Sequence, residues 1–224
     1  MQLTFYNGSP RGKKGNTEIL IRHFLMGFET DLNSFSINYL IQQNKMREFV
    51  GKFQNSETII LAFPLYTDSM PGIVKEFIEA LEDVKFYTDH QRIGFLIHCG
   101  FPEATHLRAI ERYLKKLSQR LGIHYLGTIV KGGSEGLRVT PEKYNKKLFL
   151  RLQQLGSHFS RTNTFDEKLI RKISGKEKFP RFLTPLLKLL NKSGLFNIYW
   201  NRQLKKNKAL DKRYEAPYKK DLKI

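Results

Sequence analysis

The chain is organised around FYNGSPRGKKGNTEIL, residues 5–20. A short apolar lead, Leu3 to Tyr6, reads as a buried strand, and it passes into a loop of Gly, Ser, Pro, Arg and Lys before an amphipathic helix begins at Asn16 or Thr17. Helix N-termini present unpaired backbone N–H groups and a partial positive charge, and glycines or small hydroxyl residues let an anion approach them. Ser9, Arg11, Gly15, Asn16 and Thr17 therefore form a candidate phosphate loop. Two commoner loops fail on spacing. A Walker loop from Gly8 needs glycine where Lys13 stands, and a GxGxxG loop needs glycines where Pro10 and Lys13 stand. An ordinary capped strand-to-helix turn is the plainer reading of this loop taken alone.

Further along, four more runs read as strands. They start near Phe35, Thr58, Ile93 and Tyr125, and helical patterns lie between and after them at about 17–27, 41–56, 70–81, 103–121 and 141–160. ETIILAFP, Glu57 to Pro64, is apolar at nearly every position, as a central parallel strand covered on both faces must be. Strands alternating with helices over residues 1–163 predict a doubly wound five-stranded parallel sheet, and 2-1-3-4-5 is one of its two common orders. Ligands of such sheets sit outside the carboxyl ends of the strands. The loops after Tyr6, Phe63, His98 and Val130 are accordingly the ones to read.

Gly8-Ser9-Pro10-Arg11 followed by Gly15-Asn16-Thr17 resembles the phosphate loop of the flavodoxin-like NAD(P)H-dependent FMN oxidoreductases. Pro64, Leu65, Tyr66, Thr67, Asp68, Ser69 and Met70, running into Pro71 and Gly72, are similar to the segment that packs on the flavin ring in that family. Thr67 stands where the family usually has an aromatic residue. After the fourth strand, Cys99, Gly100 and Phe101 match a turn that lines the flavin, and Gly132 and Gly133 after the fifth would approach from the far side. The resemblance spans roughly residues 1–160 and implies the flavodoxin-like order, an FMN cofactor and NAD(P)H as electron donor. It also implies a quinone, flavin, nitro or azo compound as small-molecule acceptor. Because FMN would carry the chemistry, no catalytic side chain is assigned. A flavodoxin-type electron carrier and a non-catalytic FMN-binding protein are the alternatives.

Composition narrows this reading. The chain has 224 residues and a net charge of +18, with 39 Lys and Arg against 21 Asp and Glu. Electron carriers of the flavodoxin type are typically acidic, which counts against that alternative. Cys99 is the single cysteine, so no disulfide framework or all-cysteine cluster forms within one chain, and the iron–sulfur branch of the family is excluded. The six histidines show no metal-ligand spacing, and no metal is expected. His98 and His106 fall near the presumed ring as proton-donor candidates, with a hydrogen-bonded structural role the better reading. The start of the chain has no secretory pattern and no apolar run reaches the roughly 18 residues that span a bilayer, so a cytoplasmic protein is expected.

Residues 164–224 read as a basic, amphipathic helical tail. From Asp166 onward there are 17 Lys and Arg against 6 Asp and Glu. Phe182, Leu183, Leu186, Leu187 and Leu190 share one helical face, and Phe196, Tyr199 and Trp200 precede a basic run. The expectation is that the tail docks on its own domain or on the partner of a homodimer, with peripheral membrane contact as the competing role and no specific nucleic-acid partner.

Overall fold

TIILAFP, Thr58–Pro64, is buried at every position and forms the centre of the sheet, as its two-sided apolarity requires. The computed structural model describes residues 1–30, 32–82, 90–183, 185, 189, 192–194 and 197–216. Five parallel strands, β1 (Gln2–Asn7), β2 (Ser34–Tyr39), β3 (Thr58–Pro64), β4 (Arg92–His98) and β5 (His124–Lys131), lie in the order 2-1-3-4-5. Helices α1 (Asn16–Phe28), α2 (Met46–Gln54), α3 (Gly72–Glu79), α4 (Arg108–Arg120) and α5 (Lys146–Thr162) alternate with and follow them. The flavodoxin-like, doubly wound architecture expected from the alternation is the one observed.

Period-two alternation along the strands supplies two cores. Tyr6, Leu61, Phe63, Phe95 and Ile97 face one side and pack with Phe49, Phe53, Phe77 and Leu114 from α2, α3 and α4. Leu3, Phe5, Ile60, Ala62 and Leu96 face the other and pack with Phe24, Phe28, Leu152, Leu155 and Phe159 from α1 and α5. On α1, Ile21 and Leu25 are buried along with Leu20, Phe24 and Phe28, while His23 stacks on Phe149 at 3.7 Å between ring centres. A wider apolar stripe than the sheet alone would need results, because α1 is covered by α5 as well.

The α1–α5 contact is made by backbone. A Cβ added at Gly27 would fall 1.9 Å from the Gln153 carbonyl oxygen, and one at Gly156 would fall 1.9 Å from that of Phe24. Only reciprocal glycines permit this separation.

Packing continues beyond residue 163. Asn163 ends α5 in the left-handed region (φ 54°), and Phe165 turns back with its ring 4.9 Å from that of Phe159. Helix α6 (Glu167–Ser174), capped by the Asp166 carboxylate accepting from the Lys168 and Leu169 amides, buries Ile173 in the same core. The following strap is tied down by Ala104 N–H to the Lys176 carbonyl (2.9 Å) and by Arg108, whose guanidinium bonds Glu177 at 2.8 Å and Glu111 at 2.7 Å. The first compact unit thus runs from Met1 to Lys178, later than the composition-based division at residue 163, because α6 and the strap complete its core.

Phe179–Ile224 form a second compact unit. It contains a short 3-10 turn, Arg181–Leu183, and helix α7 (Asn197–Lys206), which follows a turn at Gly194 (φ 76°). Leu186, Leu187, Leu190 and Phe196, on which much of the expected apolar face rests, lie outside the described residues. Among the described residues no helix is long and apolar enough to cross a membrane.

Substituting Gly156→Ala should cost about 1–3 kcal/mol of unfolding free energy despite alanine's better helix propensity, since the new methyl overlaps the α1 backbone. Urea denaturation read by circular dichroism checks this. A stabilised variant would mean that α1 and α5 separate at little cost.

Candidate functional site

At the carboxyl ends of β1, β3 and β4 the loops enclose a cleft of about 340 Å³, within the size range of small-molecule sites. Ser9, Arg11 and Asn16 line it from the first loop, Pro64 to Thr67 from the third, and His98, Cys99 and Gly100 from the fourth. Ser134 and Glu135, which the sequence reading did not single out, close it from the loop after β5.

The first loop is organised by Asn7. Its side-chain oxygen accepts from the Ser9 amide (3.0 Å), and its amide group donates to Glu18 (3.0 Å), which also accepts from Arg22 (2.8 Å) and Tyr39 (3.0 Å). Ser9 is buried and its Oγ accepts from the Arg11 amide (3.3 Å), leaving the hydroxyl proton to donate into the cleft. Gly15 is tight against this serine, for an added Cβ would fall 2.5 Å from Oγ. As the residue before α1, Gly15 offers no capping side chain, so the first amides of that helix face a loop rich in Arg11, Lys13 and Lys14.

Asn16 and Thr17 are placed differently from simple phosphate ligands. The Asn16 side-chain amide donates to the Ser134 carbonyl at 2.8 Å and lies within reach of that of Glu135 at 3.3 Å, joining the first loop to the last. Thr17 is fully buried behind the cleft, and its Oγ1 lies 2.8 Å from His98 Nε2. What remains for an anion at these two positions is the backbone N–H.

His98 joins three elements. Ser134 Oγ donates to the Cys99 carbonyl (2.9 Å), so it accepts from His98 Nδ1 (2.7 Å). That places the ring proton on Nδ1 and leaves Nε2 to accept from Thr17. Burial, with Lys131 nearby, pushes the imidazole down to about 3 from its ordinary 6.5. A neutral histidine with both nitrogens engaged is a strut, and its role is structural. His106 is half-buried, stacked 4.5 Å from Phe101 and 3.9 Å from Glu103.

In the third loop Thr67 (φ 47°) and Asp68 (φ 63°) are both left-handed, and Tyr66 and Ser69 pair through two backbone hydrogen bonds of 2.9 and 3.1 Å. This is the pattern of a type I′ turn, an unusual conformation for a β-branched residue. Such strain is retained where surrounding structure fixes it, and it collects at binding sites. Tyr66 is half-exposed at the cleft, Asp68 and Ser69 complete the turn, and Met70 packs into the core beneath.

Cys99 is buried with its thiol directed to the Phe101 carbonyl at 3.5 Å, and burial pushes its pKa up, so it is held as a thiol. Gly100 lies exposed at the rim. Phe101 stands outside the cleft lining. Gly132 and Gly133 do not line it either: the Gly133 amide donates to the Phe101 carbonyl at 2.6 Å, and a Cβ at Gly132 would fall 3.1 Å from that same oxygen. Their small size serves the packing of one loop on the other.

The strut should give the fold an acid-sensitive component. Below about pH 6.5 the unfolded chain binds a proton at His98 that the folded chain refuses until about pH 3, so folded stability falls as pH drops through this window. The slope from this group is up to about 1.4 kcal/mol per pH unit. Denaturation curves between these limits should show wild type losing its stability advantage over His98→Asn as pH falls. Parallel pH dependences for the two proteins would contradict the buried neutral ring.

A profile of the family described as flavodoxin-like fold matches residues 1–157. No curated protein sequence matches the chain. Among solved structures, an FMN-dependent NADH-azoreductase from Bacillus anthracis in complex with FMN superimposes with a TM-score of 0.56 at 14% identity, covering 71% of this chain and 100% of that one. An NADPH-quinone reductase from P. pentosaceus gives 0.53 at 19% identity, covering 69% and 96%. An NAD(P)H:quinone oxidoreductase from Methanothermobacter marburgensis gives 0.54 at 12%, covering 71% and 96%. These likenesses are of fold. With the sheet order and the match from β1 into α5, they place this chain in the family of the flavodoxin-like fold.

Proposed function

We propose that this protein is an FMN-dependent oxidoreductase that takes hydride from NADH or NADPH and delivers electrons to a small acceptor such as a quinone, flavin, nitro or azo compound. The observation that carries the reading is the cleft itself. An uncapped helix start with a buried serine and a nearby arginine, a strained turn and Gly100 all contribute to its lining. The solved neighbours named as FMN-dependent or NAD(P)H-dependent reductases support the same assignment.

The residues fit FMN. Ser9 Oγ, Arg11 and the backbone amides of Asn16 and Thr17 would hold its phosphate, and Gly15 keeps the serine at the helix end. Pro64, Leu65 and Tyr66 offer an apolar wall for the ring, and the amides of the Thr67–Asp68 turn offer donors to its polar edge. FMN, when bound, supplies a ring able to accept hydride and release electrons. The chain's own contribution is to orient that ring, exclude water on the buried side and leave the Gly100 side open for nicotinamide and acceptor in turn. Cys99 contributes packing, and His98 holds the loops without exchanging protons.

Two outcomes test this. FMN should bind far more tightly than riboflavin, and Arg11→Ala should weaken FMN by about ten- to a hundredfold in a fluorescence titration while leaving riboflavin unchanged. Equal affinity of wild type for both flavins would remove the phosphate assignment. Anaerobic NADH or NADPH should bleach the visible absorbance of the FMN form, and a quinone should restore it. Bleaching by dithionite alone would move the protein to the electron-carrier class.

A further inference from the structure

The second compact unit, Phe179–Ile224, carries 12 Lys and Arg against 3 Asp and Glu, which is half of the chain's net charge of +18. Large apolar side chains in the same unit face solvent: Phe182 is 77% exposed, Leu189 64%, Ile198 60% and Trp200 58%. In α7 the two properties follow one another, Ile198 and Trp200 in the first turn and Arg202, Lys205 and Lys206 after it.

We propose that this unit binds the surface of an anionic phospholipid membrane. Excess positive charge selects an anionic partner, and exposed aliphatic and indole groups select one with an apolar layer beneath its charge. A bilayer interface has both, with phosphates for the lysines and acyl-chain boundary for Ile198 and Leu189, and tryptophan partitions to that depth. Nucleic acid would take up the charge but leave the aliphatic side chains in water. A second copy of the same unit would cover apolar surface only by bringing two strongly positive bodies together. The contact proposed is peripheral, and among the described residues no helix is long and apolar enough to cross a bilayer.

Trp200 is the only tryptophan, so its emission reports this unit alone. Full-length protein should sediment with vesicles of phosphatidylcholine mixed with phosphatidylglycerol, at least about tenfold more tightly than with phosphatidylcholine alone. Trp200 emission should shift to shorter wavelength and be quenched by brominated acyl chains. The combined variant Lys205→Glu, Lys206→Glu, Lys208→Glu should lose at least about tenfold in vesicle affinity with unchanged circular dichroism and thermal unfolding. Failure to bind the mixed vesicles, or equal binding to phosphatidylcholine alone, overturns the proposal. Blue-shifted Trp200 in a lipid-free dimer assigns the patch to a second copy, and duplex DNA producing the same spectral shift assigns it to polyanions. Either result also overturns it.

Discussion

The hydrogen-bonded line from Thr17 through His98 to Ser134 and the Cys99 carbonyl is the constraint on which the cleft depends. Loops at the carboxyl edge of a parallel sheet have no ladder to hold them, and here one buried side chain fixes the start of α1, the end of β4 and the loop after β5 together. Asn16 repeats the connection from α1 to the β5 loop on the cleft side. Low dielectric strengthens each bond in such a line and makes any broken member costly. A rigid frame with few free donors is what a site needs if a flat cofactor is to be oriented by backbone amides.

Behind that frame, α1 is held on two sides. Its buried face packs on β1 and β3, and its other side lies against α5 at glycine-permitted distance. The helix whose first amides face the cleft therefore has little freedom to tilt. Thr67 shows the opposite use of energy: an unfavourable left-handed backbone is retained in a turn whose ends are fixed by the Tyr66–Ser69 pairing and by the Leu65 amide bonded to the His98 carbonyl at 2.7 Å. Cleft geometry on that side is again referred to the end of β4.

The fold was legible in the sequence because central parallel strands bury both faces, and TIILAFP can hardly be anything else. The first loop stood out for a different reason: glycines and small polar residues between a strand and a helix suit an anion, although an ordinary capped turn uses them as well. Ser134 and Glu135 carried no such signal, since they reach the cleft only through tertiary placement of a loop far along the chain. Gly132 and Gly133, expected at the ring, lie outside the cleft lining and let the β4 and β5 loops meet, a placement that local sequence does not encode. The extent of the first unit was also hidden. Phe165 and Ile173 lie in a basic stretch, and composition masks that they complete the core.

The proposed FMN placement puts the phosphate at the start of α1 and the ring beside the Thr67–Asp68 turn. Backbone amide chemical shifts recorded during an FMN titration test it most directly. The amides of Gly15, Asn16 and Thr17 should move together with those of Thr67, Asp68 and Gly100, at one common midpoint. Movement confined to other surfaces, or a first-loop response without the turn, would contradict the placement.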